Sequence, residues 1–326
     1  MTIAMQYSLA SRFRGAVLGA LLGDALAARR SPTPYFSTCL GDRLQTTAAA
    51  LGSAPWLPPR LSARAERDAP VQQIEGGTIA SLPLILLHHD TPANLAPALQ
   101  GGVDSQLVAP ASYDNALLLA HTLALVLCDV APSQMLSLLM QQPVLAPVFP
   151  ALQQIQRLLA EFVSPAIAQP QLLASSPEAS AMLLALYRFL AAPEELRLLL
   201  RSAPPADLSD SAPESTAESI AAESITAESI TAESIILVGC LAGTHHAEAQ
   251  VQLFRHRLSY GRTWGNGQEA ENAAAPFFQH IAMAFDAGTS LADYLFAQWA
   301  GVYRPEVRPQ PAMALTVAAA NRLRPR

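Results

Sequence analysis

Between Arg12 and Ala27 the chain reads Arg-Phe-Arg-Gly-Ala-Val-Leu-Gly-Ala-Leu-Leu-Gly-Asp-Ala-Leu-Ala, and three of its glycines are spaced by four. The composition is helical, and on a helix Gly15, Gly19 and Gly23 fall on one face, one turn above another. Each glycine costs a helix about 1 kcal/mol relative to alanine. A stripe of three therefore makes sense where a second backbone packs too close for any side chain. Asp24 closes the stripe as its only acid, where it could act as a metal ligand, a cap or a pairing partner.

The rest of the chain supplies partners for such a helix. Alanine and leucine dominate, 51% of the 326 residues are hydrophobic and only 6% are aromatic. No long alternation of Val, Ile and Thr occurs, so helices packed on helices are favoured over a sandwich or barrel. Charged residues are 14%, net charge is −6 and lysine is absent. A general nucleic-acid binder would carry a basic face, and Schiff-base chemistry would need a lysine. Cys39, Cys128 and Cys240 are odd in number and far apart, so no local metal-ligand pair is formed and a reducing cytoplasm is the expected compartment. Arg12, Arg14 and the apolar run loosely imitate a secretory signal, but Asp24 falls late in that run and breaks it. No uninterrupted apolar run is long enough to span a bilayer.

Taken in order, the first helix is expected from Ser8 or Ser11 to about Ala28, where Pro32 and Pro34 follow. Residues 31–75 read as irregular with one short helix at Leu44–Leu51. Thr78 caps Ile79–His89, and Thr91-Pro92 opens a helix to Leu99. Ser112 precedes an almost wholly apolar helix, Tyr113–Cys128. Further helices are expected at Pro132–Gln141, Pro150–Phe162, Pro177–Leu190 and Pro193–Ser202. Between 203 and 233 the composition changes, and Ala-Glu-Ser-Ile recurs every five residues up to Ile235. A period of five turns a helix by roughly 140° per repeat, so its isoleucines share no face. A disordered insert or weak helix is the expectation there. Core returns over Ile235–Leu258, then Glu269–Ala287 and Ser290–Val302 read as the last helices. A loose Pro/Arg-rich tail runs from 303 to 326, with a possible short helix at Pro311–Leu323. One helical domain, 8–302, results.

The opening words Phe13-Arg14-Gly15-Ala16 through Gly23-Asp24-Ala25-Leu26 resemble the start of the ADP-ribosylglycohydrolases of the dinitrogenase reductase-activating type. The resemblance implies an all-α, compact multi-helix fold and, in the family, a two-magnesium site that removes ADP-ribose from proteins. Two further stretches carry it: Gly76-Gly77-Thr78-Ile79-Ala80-Ser81-Leu82-Pro83-Leu84, like the family's ligand-contacting turn and helix, and Gly239-Cys240-Leu241-Ala242-Gly243, like the helix after its late metal motif. The metal words depart from the pattern. Asp42 and Gln45 persist in the early element, but Arg43 stands where a second aspartate belongs. The late slots hold Ile230, Thr231, Ala232 and Glu233, and Ser31 replaces another acid.

The candidate residues that follow are Asp24 and Asp42 as catalytic acids, Gly76, Gly77 and Thr78 as ligand-binding, and Asp24, Asp42 and Glu233 as the metal ligands of a rebuilt site. Free N–H groups at the 76–78 turn could hold a phosphate without metal, although a plain helix start explains them equally. His88-His89 and His245-His246 invite a metal reading, but neighbours on a regular helix diverge, so neither pair chelates alone. His121, inside an apolar stripe, reads as a hydrogen-bonded core histidine. Three functions stand, in this order. The first is a family member degenerate in its magnesium site that binds ADP-ribose or an ADP-ribosylated protein, or serves as a scaffold. The second is an active hydrolase with a rebuilt site, and the third a helical interaction module without a nucleotide pocket. No cofactor is expected unless the site is rebuilt for magnesium, and neither nucleic acid nor membrane is an expected partner.

Overall fold

In the computed structural model, the described residues are 7–28, 40–41, 44–45, 47–48, 77–104, 108–175, 180–194, 196, 217–260 and 267–301. They contain helices and no strand. The helices are α1 (Leu9–Ala28), α2 (Gly77–Ala80), α3 (Leu82–His88), α4 (Pro92–Asp104), α5 (Tyr113–Leu127), α6 (Pro132–Leu139), α7 (Phe149–Ala160), α8 (Pro165–Ser175), α9 (Ser180–Ala191), α10 (Ala217–Tyr260) and α11 (Gly267–Trp299). Two 3-10 turns, Pro110–Ser112 and Pro143–Val148, precede α5 and α7. The all-α architecture anticipated from composition is present.

The centre of the fold is the crossing of α1 and α10, which run antiparallel. Gly15 lies against the carbonyl of Gly243 and the backbone of Ala247, Gly19 against Gly239 and Gly243, and Gly23 against Ile235 and Ile236. A methyl group added to Gly23 would stand 2.6 Å from the Ile235 carbonyl oxygen, and at Gly15, Gly19, Gly239 and Gly243 the clash would be tighter still. In every case the obstacle is backbone, which cannot swing aside as a side chain can. The glycines thus let Cα–H groups approach carbonyls across the interface, and many weak dispersion and C–H···O contacts replace side-chain packing.

Around this crossing the other faces of both helices are buried too. Phe13, Leu18 and Leu22 of α1 and Leu237, Val238 and Leu241 of α10 are inaccessible or nearly so. Each such large side chain contributes roughly 1.5–3 kcal/mol by leaving water. α11 covers a further side of α1, with Gly288 seated on Leu21, Leu18 and Val17. α9 packs on α10, and α5 is buried nearly all round, as its composition implied.

Several expectations are corrected. Of the two alternatives for the Ala-Glu-Ser-Ile repeat, disordered insert or weak helix, the structure has the helix: it runs from Ala217 as the N-terminal part of α10. Alanine and glutamate are strong helix formers, and the packed core helix that follows continues backward through them. The two last helices are one, α11: Thr289 and Ser290 bond their hydroxyls to the carbonyls of Phe285 and Asp286, at 2.9 and 3.1 Å. These polar side chains are satisfied inside the helix instead of ending it. α8 is not among the helices expected from the sequence; Pro165 opens it and Pro170 lies within it. Most of the expected helix at Pro193–Ser202, most of 31–75 and the tail from 303 lie outside the described residues.

Substitution of Gly19 or Gly239 by leucine is expected to lower unfolding free energy by about 3 kcal/mol or more, because backbone must move. A methyl group added to Gly101, inside α4, would meet nothing within 4 Å. Changing Gly101 to alanine is expected to be neutral or to stabilise by up to about 1 kcal/mol. Urea denaturation of the variants measures both, and equal effects at Gly19 and Gly101 would contradict the packing.

Candidate functional site

The crossing decides which candidate residues can meet. Because Gly23 lies over Ile235 and Ile236, Asp24 of α1 and Glu233 of α10 stand at the same end of the antiparallel pair. Both are half-buried. At this end α9 contributes Arg188, only 2% exposed, whose Nη1 donates to the Ser234 hydroxyl at 3.3 Å. Ser234 itself is fully buried. One end of the crossing therefore carries two acids, a buried hydroxyl and a buried guanidinium.

Asp42 and Gly76 lie outside the described residues. Gly77 and Thr78 begin α2, a single four-residue turn. Thr78 is 1% exposed and its hydroxyl has no hydrogen-bond partner among the described residues, while its carbonyl accepts from the Ser81 hydroxyl. The Thr78 side chain is thus buried in the core.

Magnesium would need several hard oxygen ligands, usually carboxylates. Of the ligands suggested for a rebuilt site, the described residues offer Asp24 and Glu233, and a fixed cation at Ser234, the residue after Glu233, opposes a second one. Among the described residues no three His, Cys, Asp or Glu side chains gather so as to hold a metal ion. The described residues bring two of the suggested ligands, Asp24 and Glu233, to this end, and the third, Asp42, lies outside them.

The opposite end of the crossing is organised by the two arginines that began the sequence motif. Buried Arg12 reaches the C-terminus of α5, donating to the Val126 carbonyl and to Asp129, both at 2.6 Å. Asp129 follows the helix with φ of 62°, a left-handed position that aspartate tolerates better than most residues. Arg14 binds Asp293 of α11 through two nitrogens, at 2.6 and 3.1 Å, and Glu248 of α10 at 3.0 Å. These bonds hold its guanidinium even more firmly protonated than usual. Between the arginines, Phe13 meets His89 and Phe296 edge-on at 5.2 and 5.5 Å, and Trp299 closes the cluster.

His89 and His121 are buried, His245 and His246 are half-buried and His256 is exposed. His89 bonds the Leu86 carbonyl through Nδ1 at 2.8 Å. His121 is buried in α5, but its Nε2 has no hydrogen-bond partner among the described residues. The expected hydrogen-bonded core histidine is thus a core histidine with one ring nitrogen left to apolar surroundings. His245 and His246 meet edge to face at 5.1 Å, beside Phe189. Immediately after them α10 is broken at Ala247, with φ of 58° and ψ of 179°. That conformation is nearly confined to glycine and costs on the order of 1–3 kcal/mol in other residues. Cys240 is fully buried, which pushes its thiol well up and leaves it unreactive.

Sequence reasoning did not single out Arg188 or the break at Ala247. An arginine inside the apolar run Met182–Leu190 was the available signal for the first, since a charge is buried only where it is bonded. Nothing in an alanine announces a positive φ.

Among the described residues no single helix is long and apolar enough to cross a membrane.

Burial lowers the proton affinity of both His89 and His121. An unfolded imidazole takes a proton near pH 6.5, whereas the folded protein resists it, so the unfolded chain binds more protons as the solution is acidified. Stability is expected to be complete above about pH 6.5 and to fall as pH drops below it. A melting temperature that stays level from neutrality to about pH 5.5 would contradict neutral burial of these rings. No protein-family model matches the chain, and no curated protein matches it either.

Proposed function

We propose that this chain is a divergent ADP-ribosylglycohydrolase-like protein that has lost dinuclear magnesium hydrolysis and acts by binding ADP-ribose or an ADP-ribosylated protein. The observation that carries this reading is the α1–α10 crossing. The two stretches that resemble the family's first and last motifs pack on each other through Gly15, Gly19, Gly23, Gly239 and Gly243. The same crossing puts Asp24 and Glu233 at one end, next to a guanidinium that bonds Ser234. The family-like frame is thereby supported, and the charge balance at its candidate site speaks against a divalent cation.

The reading of a helical interaction module without a nucleotide pocket is favoured by one observation, the burial of Thr78. It shares the fold but not the ligand. An active hydrolase with a rebuilt site would need Asp42 to join Asp24 and Glu233 as a third carboxylate.

Thermal unfolding with and without ADP-ribose, each with and without magnesium, separates the three. A ligand that binds only the folded state raises the melting temperature by mass action. The expected result is a rise with ADP-ribose that is the same without magnesium. A rise that needs magnesium would restore the hydrolase, and no rise under either condition would leave the interaction module.

A further inference from the structure

The end of the crossing away from Asp24 holds a group of features that the proposed function does not use. α10 breaks at Ala247, and the break lies directly over Gly15 of α1. His245 and His246 precede it with their rings 5.1 Å apart. Glu248 follows it and ties the next segment to Arg14 at 3.0 Å. One strained residue thus separates a histidine pair from an ion pair.

We propose that His245, His246 and the break at Ala247 form an acid-sensitive hinge, which releases the 248–260 part of α10 from α1 while the glycine crossing stays closed.

Neutral imidazoles suit the present arrangement. His245 lies edge-on to Phe189 at 5.7 Å. His246 is hydrogen-bonded to the Pro193 carbonyl, while its Nε2 is buried and has no hydrogen-bond partner among the described residues. Burial makes both rings harder to protonate than a free histidine. Once protonated, the two rings would repel each other, and Arg12 of α1 would repel His245 in addition. The acids that face them are Glu194, beyond α9 and near both rings, and Asp129, at the end of α5 and near His245. Glu194 is exposed and the Asp129 side chain is 45% exposed, so the attraction draws charged rings outward.

The rest of the geometry makes an outward movement local. A residue already out of helical conformation can absorb a change in direction without breaking a continuous helix. Leaving Ala247's present conformation also relieves its strain. Arg14 keeps both bonds to Asp293 when Glu248 departs, so α1 and α11 remain joined. Beyond the break, Arg255 lies over the buried Phe285 ring of α11 at 5.0 Å and Val251 is buried in the core, so these are the contacts that the movement gives up. Gly239 and Gly243 lie on the other side of the break and bear no titrating group.

Hydrogen exchange of the full chain, corrected for the intrinsic pH dependence of exchange, tests the hinge from about pH 7.5 to 5.5. Amides of residues 248–256 are expected to lose protection by about tenfold or more with a midpoint below 6.5, while those of 238–243 are unchanged. The double variant His245→Gln, His246→Gln should abolish the loss. Should that variant fail to fold, imidazole NMR titration of the unaltered protein replaces it, and both rings should titrate together with the loss of protection. Simultaneous loss at 238–243, no loss at all, loss retained by the variant, or rings that titrate apart from it would overturn the hinge.

Discussion

Backbone-to-backbone contact between α1 and α10 is the constraint on which the described structure depends. It exists only because five positions have no side chain. Everything else follows the axis it sets. α11 lies along α1 through Gly288, α9 lies on α10, and the buried faces of α3, α4 and α5 complete one hydrophobic core. Glycine weakens each helix taken alone, by about 1 kcal/mol per residue. The crossing offsets that loss by admitting contacts that no larger residue would permit.

The two ends of the crossing differ in chemistry. At one end, Arg12 and Arg14 are used to fasten helices, to the end of α5 and to α10 and α11. Aromatic rings fill the space between these arginines, with Phe13 on His89, Phe296 and Trp299. At the other end, Asp24 and Glu233 are only half-buried and buried Arg188 donates to the Ser234 hydroxyl. An end fastened by ion pairs and an end that carries partly exposed acids beside a buried cation are suited to different tasks. The first fastens α1 to α5, α10 and α11, and the second carries the half-buried acids.

Much of this was legible in the residues, and the omissions have physical causes. The glycine spacing implied a close backbone partner but could not name it, because contact partners distant in sequence leave no periodic trace. Gly239 and Gly243 stood out only through resemblance to a family. The Ala-Glu-Ser-Ile period argued against a shared apolar face, which is a statement about burial. It said less about helicity, where alanine and glutamate prevailed. Gly288-Thr289-Ser290 looked like a helix end, but both hydroxyls return to carbonyls of the same helix. Adjacent histidines diverge on a regular helix, and His245 and His246 precede Ala247, where α10 ceases to be regular. Of the site residues, Asp24 and Glu233 are brought to one end, Thr78 is turned into the core, and Asp42 and Gly76 fall outside the described residues.

The central claim is that α1 and α10 touch through their glycines. It is tested most directly by nuclear Overhauser contacts between their Cα protons in the full-length protein. A methyl group on Gly19 would stand 3.0 Å from the Cα of Gly243, and one on Gly239 would stand 3.3 Å from that of Gly23. The account predicts strong cross-peaks between the α-protons of Gly19 and Gly243 and between those of Gly23 and Gly239. Assigned spectra in which both helices are present and neither cross-peak is found would contradict it.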